Sequence, residues 1–280
     1  MKPTPPLSPD TDAALPDDLS PLLSEPFAQA WAAPTPAASS ARSSLAGRLA
    51  RSHAKEAGMH TTRLRRAAPE ALAEGVSARL LYTAATDRPL RRGEPQRVRL
   101  LDLAPGADIP TLPSLPGATL ECLVMAGSAC LAGHELSLRD YLRLPATAAA
   151  SLQAGPQGAR LFVREAPARP GDASRLVRDC EAGWPAYGPG IRRRVLWAEG
   201  DEAALLYQVD PGAFVPLHTH GHDEECLMLA GELFLDDVLM QAGDYQVAPA
   251  GTQHALTRAE TAGVLFAHGD VELQFIAGET

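Results

Sequence analysis

The chain has 280 residues, 45% hydrophobic and 21% charged, the make-up of a globular protein with room for one large core or two modest ones. Disorder throughout is excluded. Its 25 Lys and Arg against 34 Asp and Glu leave a net charge of -9, which repels a phosphate backbone, so general nucleic-acid binding is disfavoured. Gly and Pro, 23 and 25 residues, make up roughly 17% of the chain against a usual ~12%, which predicts short elements and many turns rather than a helical bundle.

The N-terminus, Met1 to Asp12, lacks the basic-then-apolar order of a secretory signal, and no run approaches the ~18 apolar residues of a membrane span. A cytoplasmic location is expected, with no membrane partner. Cys122, Cys130, Cys180 and Cys226 form no C-x-x-C pair, so neither a zinc ribbon nor a thioredoxin-type site can be drawn from them, and free thiols are expected.

Residues 1–40 read as a poorly ordered tail rich in Pro, Ala and Ser. Within it Leu19, Leu23, Phe27 and Trp31 would form one apolar stripe on a helix, although Pro26 would break the ladder. Residues 41–73 are expected to be a short helix and linker. The helix spans Ser44 to Glu56, with Leu45, Leu49 and His53 on one face and Gly58 just beyond its end. Seven basic residues from Arg42 to Arg66 make this stretch locally positive, but no stacking aromatics accompany them, and a solvated linker is the preferred reading.

From residue 74 the texture changes to short Val, Leu and aromatic runs between Gly and Pro turns, the pattern of an all-β fold. An internal repeat organises it. Glu121-Cys122-Leu123 recurs as Glu225-Cys226-Leu227, an offset of 104 that also carries Asp140-Tyr141 onto Asp244-Tyr245 and Leu161-Phe162 onto Leu265-Phe266. Ile109-Pro110 recurs as Val215-Pro216, and Gly75-Val76 as Gly190-Ile191, with other offsets, so loop lengths differ between copies. Two homologous β-domains follow, over 74–166 and 172–280, with 167–171 as the link.

The second copy carries the chemistry. Gly212, His218, His220, Glu224 and Gly231 are spaced G-x5-H-x-H-x3-E-x6-G, and Gly243, Pro249, Gly251 and His254 follow as G-x5-P-x-G-x2-H. Residues two apart on a strand share a face, so His218 and His220 can present both imidazoles to one point. Nitrogen donors with one carboxylate suit Zn, Fe, Mn, Ni or Cu, whereas Mg and Ca want more oxygen.

Both motifs resemble those of the cupin superfamily, a six- to eight-stranded antiparallel barrel around a metal. The resemblance implies two tandem cupin barrels, with one divalent transition metal, zinc first, held in the second by His218, His220, Glu224 and His254. Arg258 departs from the Asn that usually ends the second motif. Two residues compete as ligands. Glu225 corresponds to Glu121 in a copy without metal histidines, which favours a structural role, and His222 is expected on a turn. In the first copy His254 maps to Ala150 and no histidine occurs from Thr111 to Pro116, so that barrel is expected to be structural, with His134 an ordinary histidine.

Trp184, Gly188-Pro189-Gly190 and Leu196-Trp197 ahead of the histidine motif resemble the C-terminal lobe of ChrR-type anti-sigma factors. That resemblance implies a regulatory or sensor protein linked to oxidative stress, with an extracytoplasmic-function sigma factor or another regulatory protein as partner. No cysteine precedes Cys122, so the family's N-terminal zinc motif is absent and direct sequestration of a sigma factor is disfavoured. The alternative is a metal-dependent enzyme, such as a dioxygenase or isomerase acting on a small molecule. A bound small ligand and a homodimer are compatible with either. Period two also places Cys226 and Met228 on the face of Glu224, with a small buried hydrophobe as the plainer role for Cys226.

Overall fold

The structure, a computed structural model, describes residues 58–84, 96–146, 150–169 and 171–276. The expected tail over 1–40, the stripe from Leu19 to Trp31 and the helix from Ser44 to Glu56 lie outside the described residues. Among the described residues the one helical element is a 3-10 turn, Leu64–Arg66, and no helix is long and apolar enough to cross a membrane.

The chain enters through β1 (His60–Thr62) and continues into a first barrel. Its strands are β2 (Pro69–Ala73), β3 (Val76–Thr83), β4 (Arg97–Leu103), β5 (Asp108–Ile109), β6 (Ala118–Leu131), β7 (His134–Leu136), β8 (Tyr141–Leu144) and β9 (Leu152–Pro167). After β10 (Arg175–Val177) the second barrel opens with β11 (Ala186–Gly188), β12 (Ile191–Glu199), β13 (Glu202–Val209), β14 (Phe214–Val215), β15 (His218–Thr219) and β16 (Glu224–Ala230). It closes with β17 (Glu232–Leu235), β18 (Val238–Gln241), β19 (Tyr245–Ala248), β20 (Gln253–His254), β21 (Thr257–Arg258), β22 (Gly263–Asp270) and β23 (Gln274–Phe275). All pairings are antiparallel, and the fold is a tandem pair of all-β barrels.

The repeat is visible in the register itself. Cys122 pairs with Leu142 and Val163 across β8 and β9, and Cys226 pairs with Gln246 and Ala267 across β19 and β22, the same partners displaced by 104. Even the bulge after Val124 recurs after Met228. Gly127 and Gly231 follow those bulges with φ of 69° and 77°. A Cβ there would stand 2.0 Å from Gly158 O and 2.1 Å from Ala262 O, so only glycine fits.

Residues 58–73 differ from the expected linker. β1 adds to the edge of β19 in the second barrel, His60 opposite Val247, while β2 pairs with β3 in the first. In return β10, from the second copy, adds to β8 of the first barrel, Val177 opposite Tyr141. Each barrel is thus completed by a strand that leads into the other. His-Thr-Thr has no apolar alternation to announce a strand, and its place comes from edge pairing, with Arg63 alongside bonded to Asp244.

Each barrel has its own apolar interior, and a third cluster joins them. Leu123, Tyr141 and Phe162 of the first barrel pack with Leu227, Tyr245 and Phe266 of the second, and the repeat-related rings of Phe162 and Phe266 lie 4.9 Å apart. In the first barrel the positions answering to the histidine motif are filled by Leu112, Leu120 and Ala150, all buried in its core. Leu112 N donates to Ala150 O at 2.7 Å, at the place where His218 pairs with His254 in the second barrel. Apolar packing has replaced the polar centre there.

Candidate metal centre

Three short strands bring the motif together. His218 on β15 and His254 on β20 are direct cross-strand partners, His220 follows two residues after His218, and Glu224 opens β16. The three imidazole centroids are 5.2 to 5.6 Å apart. Glu224 Oε2 stands 3.5 Å from both His220 Nε2 and His254 Nε2, and one ligand atom each from His218, His220 and Glu224 falls within a span of 4.8 Å.

The rings are turned inward by their other nitrogens. His218 Nδ1 donates to Pro216 O at 2.8 Å, and His254 Nδ1 donates to Asp236 Oδ2 at 3.3 Å. Asp236 is itself pinned in the β17–β18 turn, where its Oδ1 accepts from Ala255 N at 2.6 Å and Leu256 N at 3.1 Å. Such an outer carboxylate orients an imidazole and raises its basicity. No motif in the sequence announced Asp236.

The electrostatics of the cluster suit a cation. All three histidines are buried, and the buried Nε2 atoms of His220 and His254 have no hydrogen-bond partner. Burial lowers His220, with Glu224 opposing and the other two histidines adding to the effect. Burial alone would lower His254 as well, but Asp236 and Glu224 outweigh it and raise that imidazole to about 9. Glu224 is pushed up by burial, yet His220, His254 and His218 hold it down at about 2. Orphaned nitrogens around an ionised carboxylate fit a divalent transition metal of the nitrogen-and-oxygen class.

The competing residues lie elsewhere. Glu225 faces the seam between the barrels, where Arg164, Gln96 and Tyr245 donate to it. His222 Nδ1 is bound to Asp270, whose carboxylate also accepts from the Gly221 and His222 amides. His134 is a half-buried residue of β7 in the first barrel, and Arg258 is exposed beside Glu260. Cys226 and Met228 point inward with Glu224, and both belong to the second barrel's core.

A cavity of about 50 Å³ opens against His218 and Glu224. Its wall is almost wholly apolar, formed by Ile191, Cys226, Leu233 and Leu265 among others, with Tyr187 and Tyr207 at one side. These tyrosines meet edge to face at 5.8 Å, and Arg193 stacks on Tyr187.

Fold and motif make the second barrel similar to a cupin domain. Residues 172–274 match the family model described as the ChrR cupin-like domain. Protein YlbA from E. coli superposes with a TM-score of 0.62 at 16% identity, over 77% of this chain and 93% of that one. A protein from Nostoc punctiforme described as a candidate dioxygenase gives 0.61 at 14% identity, over 79% and 87%. The oxalate decarboxylase of Bacillus subtilis gives 0.57 at 15% identity, over 75% and 76%, and is described elsewhere as holding Mn(II) centres. At these identities the likeness is one of fold. No curated protein matches the chain by sequence.

Proposed function

We propose that the chain is a ChrR-like regulatory cupin that holds one divalent transition metal at His218, His220, Glu224 and His254 and responds to a small uncharged oxidant. The carrying observation is the cavity. About 50 Å³ is room for one or two water-sized molecules, and the wall offers no charged group beyond His218 and Glu224 to hold a sugar or an acid. A bound metal would supply Lewis acidity or redox capacity. The chain's own residues hold it, Asp236 and the Pro216 carbonyl orient the imidazoles, and the apolar wall offers ionic ligands no partner. Zinc is the first expectation, with iron, manganese, nickel and copper as alternatives. The output partner in this reading is a regulatory protein such as a sigma factor, met in the cytoplasm.

The same cavity favours a second reading, a metal-dependent enzyme acting on a small molecule, because it opens directly on two of the proposed ligands. One experiment separates them. Metal content and thermal stability are measured on protein purified without added metal, before and after an organic hydroperoxide, while oxygen uptake is followed. Metal loss with a fall in Tm and no turnover supports the sensor. Sustained oxygen consumption with metal retained supports the enzyme, and a metal-free protein that takes up no transition metal overturns both.

A further inference from the structure

A second cavity, half open to solvent and of about 190 Å³, lies at the seam of the barrels and shares no residue with the metal centre or its apolar pocket. Its floor is an ionic triad. Arg164 donates to Glu121 at 2.8 Å and to Glu225 at 2.9 Å, while Tyr141 and Trp197 cap Glu121, and Tyr245 and Gln96 cap Glu225. Around it stand Thr119, Arg143, Arg169, Trp197, His268 and Asp223.

The hydrogen-bond inventory says what such a space would take. Three guanidinium groups and four carboxylates line it, and every one of those carboxylates already accepts a bond, Glu202 from Arg169 at 2.5 Å and Asp223 from the Ala250 amide at 2.7 Å. Among the buried side-chain atoms of this lining, those left over are nitrogens. Arg143 Nε and His268 Nε2 are buried without a hydrogen-bond partner. Glu202 Oε1 stands 3.8 Å from His268 Nε2, beyond hydrogen-bond reach. His268 Nδ1 is likewise 3.9 Å from Glu225 Oε1, so no neighbour fixes the tautomer and Nε2 is free to donate. Arg143 lies over the Trp197 ring at 4.8 Å, and its Nη2 is anchored on Asp172 at 2.6 Å, which holds the planar fork in place. A buried donor left unmatched costs free energy, and the complementary group is an acceptor that a guanidinium recognises in plane.

We propose that the seam cavity binds a small organic carboxylate, with Arg143 Nε and His268 Nε2 as donors and Arg169 supplying charge at its side. The volume equals about six waters, the scale of a short-chain mono- or dicarboxylate. The cavity wall includes Gly221, His222 and Asp223, the segment between His220 and Glu224. Occupancy therefore restrains the spacer between two of the proposed metal ligands, although the site itself does not depend on a metal being held.

The test is calorimetric titration of the full chain with malonate and succinate, and separately with inorganic phosphate. Binding of one dicarboxylate per chain is expected, weakened about tenfold or more by Arg143→Lys, which keeps the charge toward Asp172, and by His268→Gln. Binding must persist in the His218→Ala, His220→Ala double variant, which separates this site from coordination to a metal. Saturation transfer from the Trp197 indole to the bound acid, read on the unaltered protein, removes any dependence on how the variants fold. Binding of phosphate alone, no binding of either acid at about 10 mM, loss of binding in the double histidine variant, or absence of transfer from Trp197 would overturn the proposal.

Discussion

Arg63 reaches into the far barrel, where its Nη1 donates to Asp244 Oδ2 at 2.8 Å and also to the Leu239 carbonyl. Arg178 does the same in the opposite sense, donating to Asp140 Oδ2 at 2.9 Å and to the Glu135 carbonyl. The backbone amides that follow, Leu64 N and Asp179 N, bind the other oxygen of each carboxylate at 2.9 and 2.8 Å. Two repeat-related clamps thus fasten the exchanged strands β1 and β10. Substituting Arg63→Ala leaves Asp244, which is buried, without its charged partner and is expected to cost about 1–3 kcal/mol. Urea denaturation checks this, with Arg65→Ala as a control expected to change little, since Arg65 is exposed.

Replacing both His218 and His220 by Ala is expected to abolish metal uptake and to remove the stabilisation that metal gives, because binding to the native state alone raises its stability. Glu225→Gln should separate the two effects. It breaks a buried pair with Arg164 and lowers Tm by the several degrees that a loss of about 3 kcal/mol implies, while leaving metal stoichiometry intact. Elemental analysis beside calorimetry reads both. Equal metal content in the double variant and the unaltered chain would refute the assignment.

What the sequence disclosed and what it withheld divide along physical lines. The period of a strand put His218 and His220 on one face, the resemblance of the motifs added Glu224 and His254, and a constant offset from Glu121 to Phe162 predicted a register that the pairing of β6 and β16 reproduces. The role expected for Glu225 followed from its partner Glu121, and both now meet on Arg164. Local pattern could not reveal the strand exchange, because β1 is three residues of polar or β-branched type held by an edge and an arginine from outside. Asp236 escaped for a similar reason. It sits at φ 54° in a hairpin turn, and its link to His254 spans 18 positions that no motif connects.

Asp236 should therefore matter to affinity without touching the metal. Asp236→Asn keeps the turn's amide contacts in reach but removes the charge behind His254, and a loss of about 10–100-fold in metal affinity is expected. Competition against a chromophoric chelator measures it. An unchanged affinity would show that the Asp236 contact only shapes the turn.

Metal entry should release a proton. In the metal-free protein Asp236 and Glu224 raise His254 to about 9 against the opposing effect of burial, so at about pH 7.5 its ring is protonated and must give up that proton to coordinate. An indicator dye in weak buffer is expected to report close to one proton per metal, falling toward zero above the His254 value. The linkage sign follows. A histidine raised above its ordinary value near 6.5 contributes stability that is whole below that value and lost as pH climbs through about 9. The metal-free chain should lose on the order of 2 kcal/mol across that window, and Asp236→Asn should flatten the loss. Proton release absent at about pH 7.5 would place His254 neutral and contradict this account.

Cys226 shares the inner face with Glu224 and lines the same apolar cavity. Position alone would make it a candidate for oxidation at the metal centre, but chemistry argues otherwise. Burial pushes its thiol well above the ordinary value, and Glu224 and Glu225 push in the same direction, so the reactive thiolate is suppressed. Cys122, its repeat mate in the barrel without the histidines, is raised by burial to about 12. Both cysteines pack as small hydrophobes in their barrel cores, whereas Cys180 is exposed. Graded peroxide followed by mass spectrometry is expected to modify Cys180 first and to leave Cys226 intact while any held metal is lost. The same order should hold with a neutral alkylating reagent, where Cys226 becomes reactive only in denaturant. Oxidation of Cys226 before Cys180, and only in metal-loaded protein, would reverse the reading and assign the response to the thiol rather than to the metal centre alone.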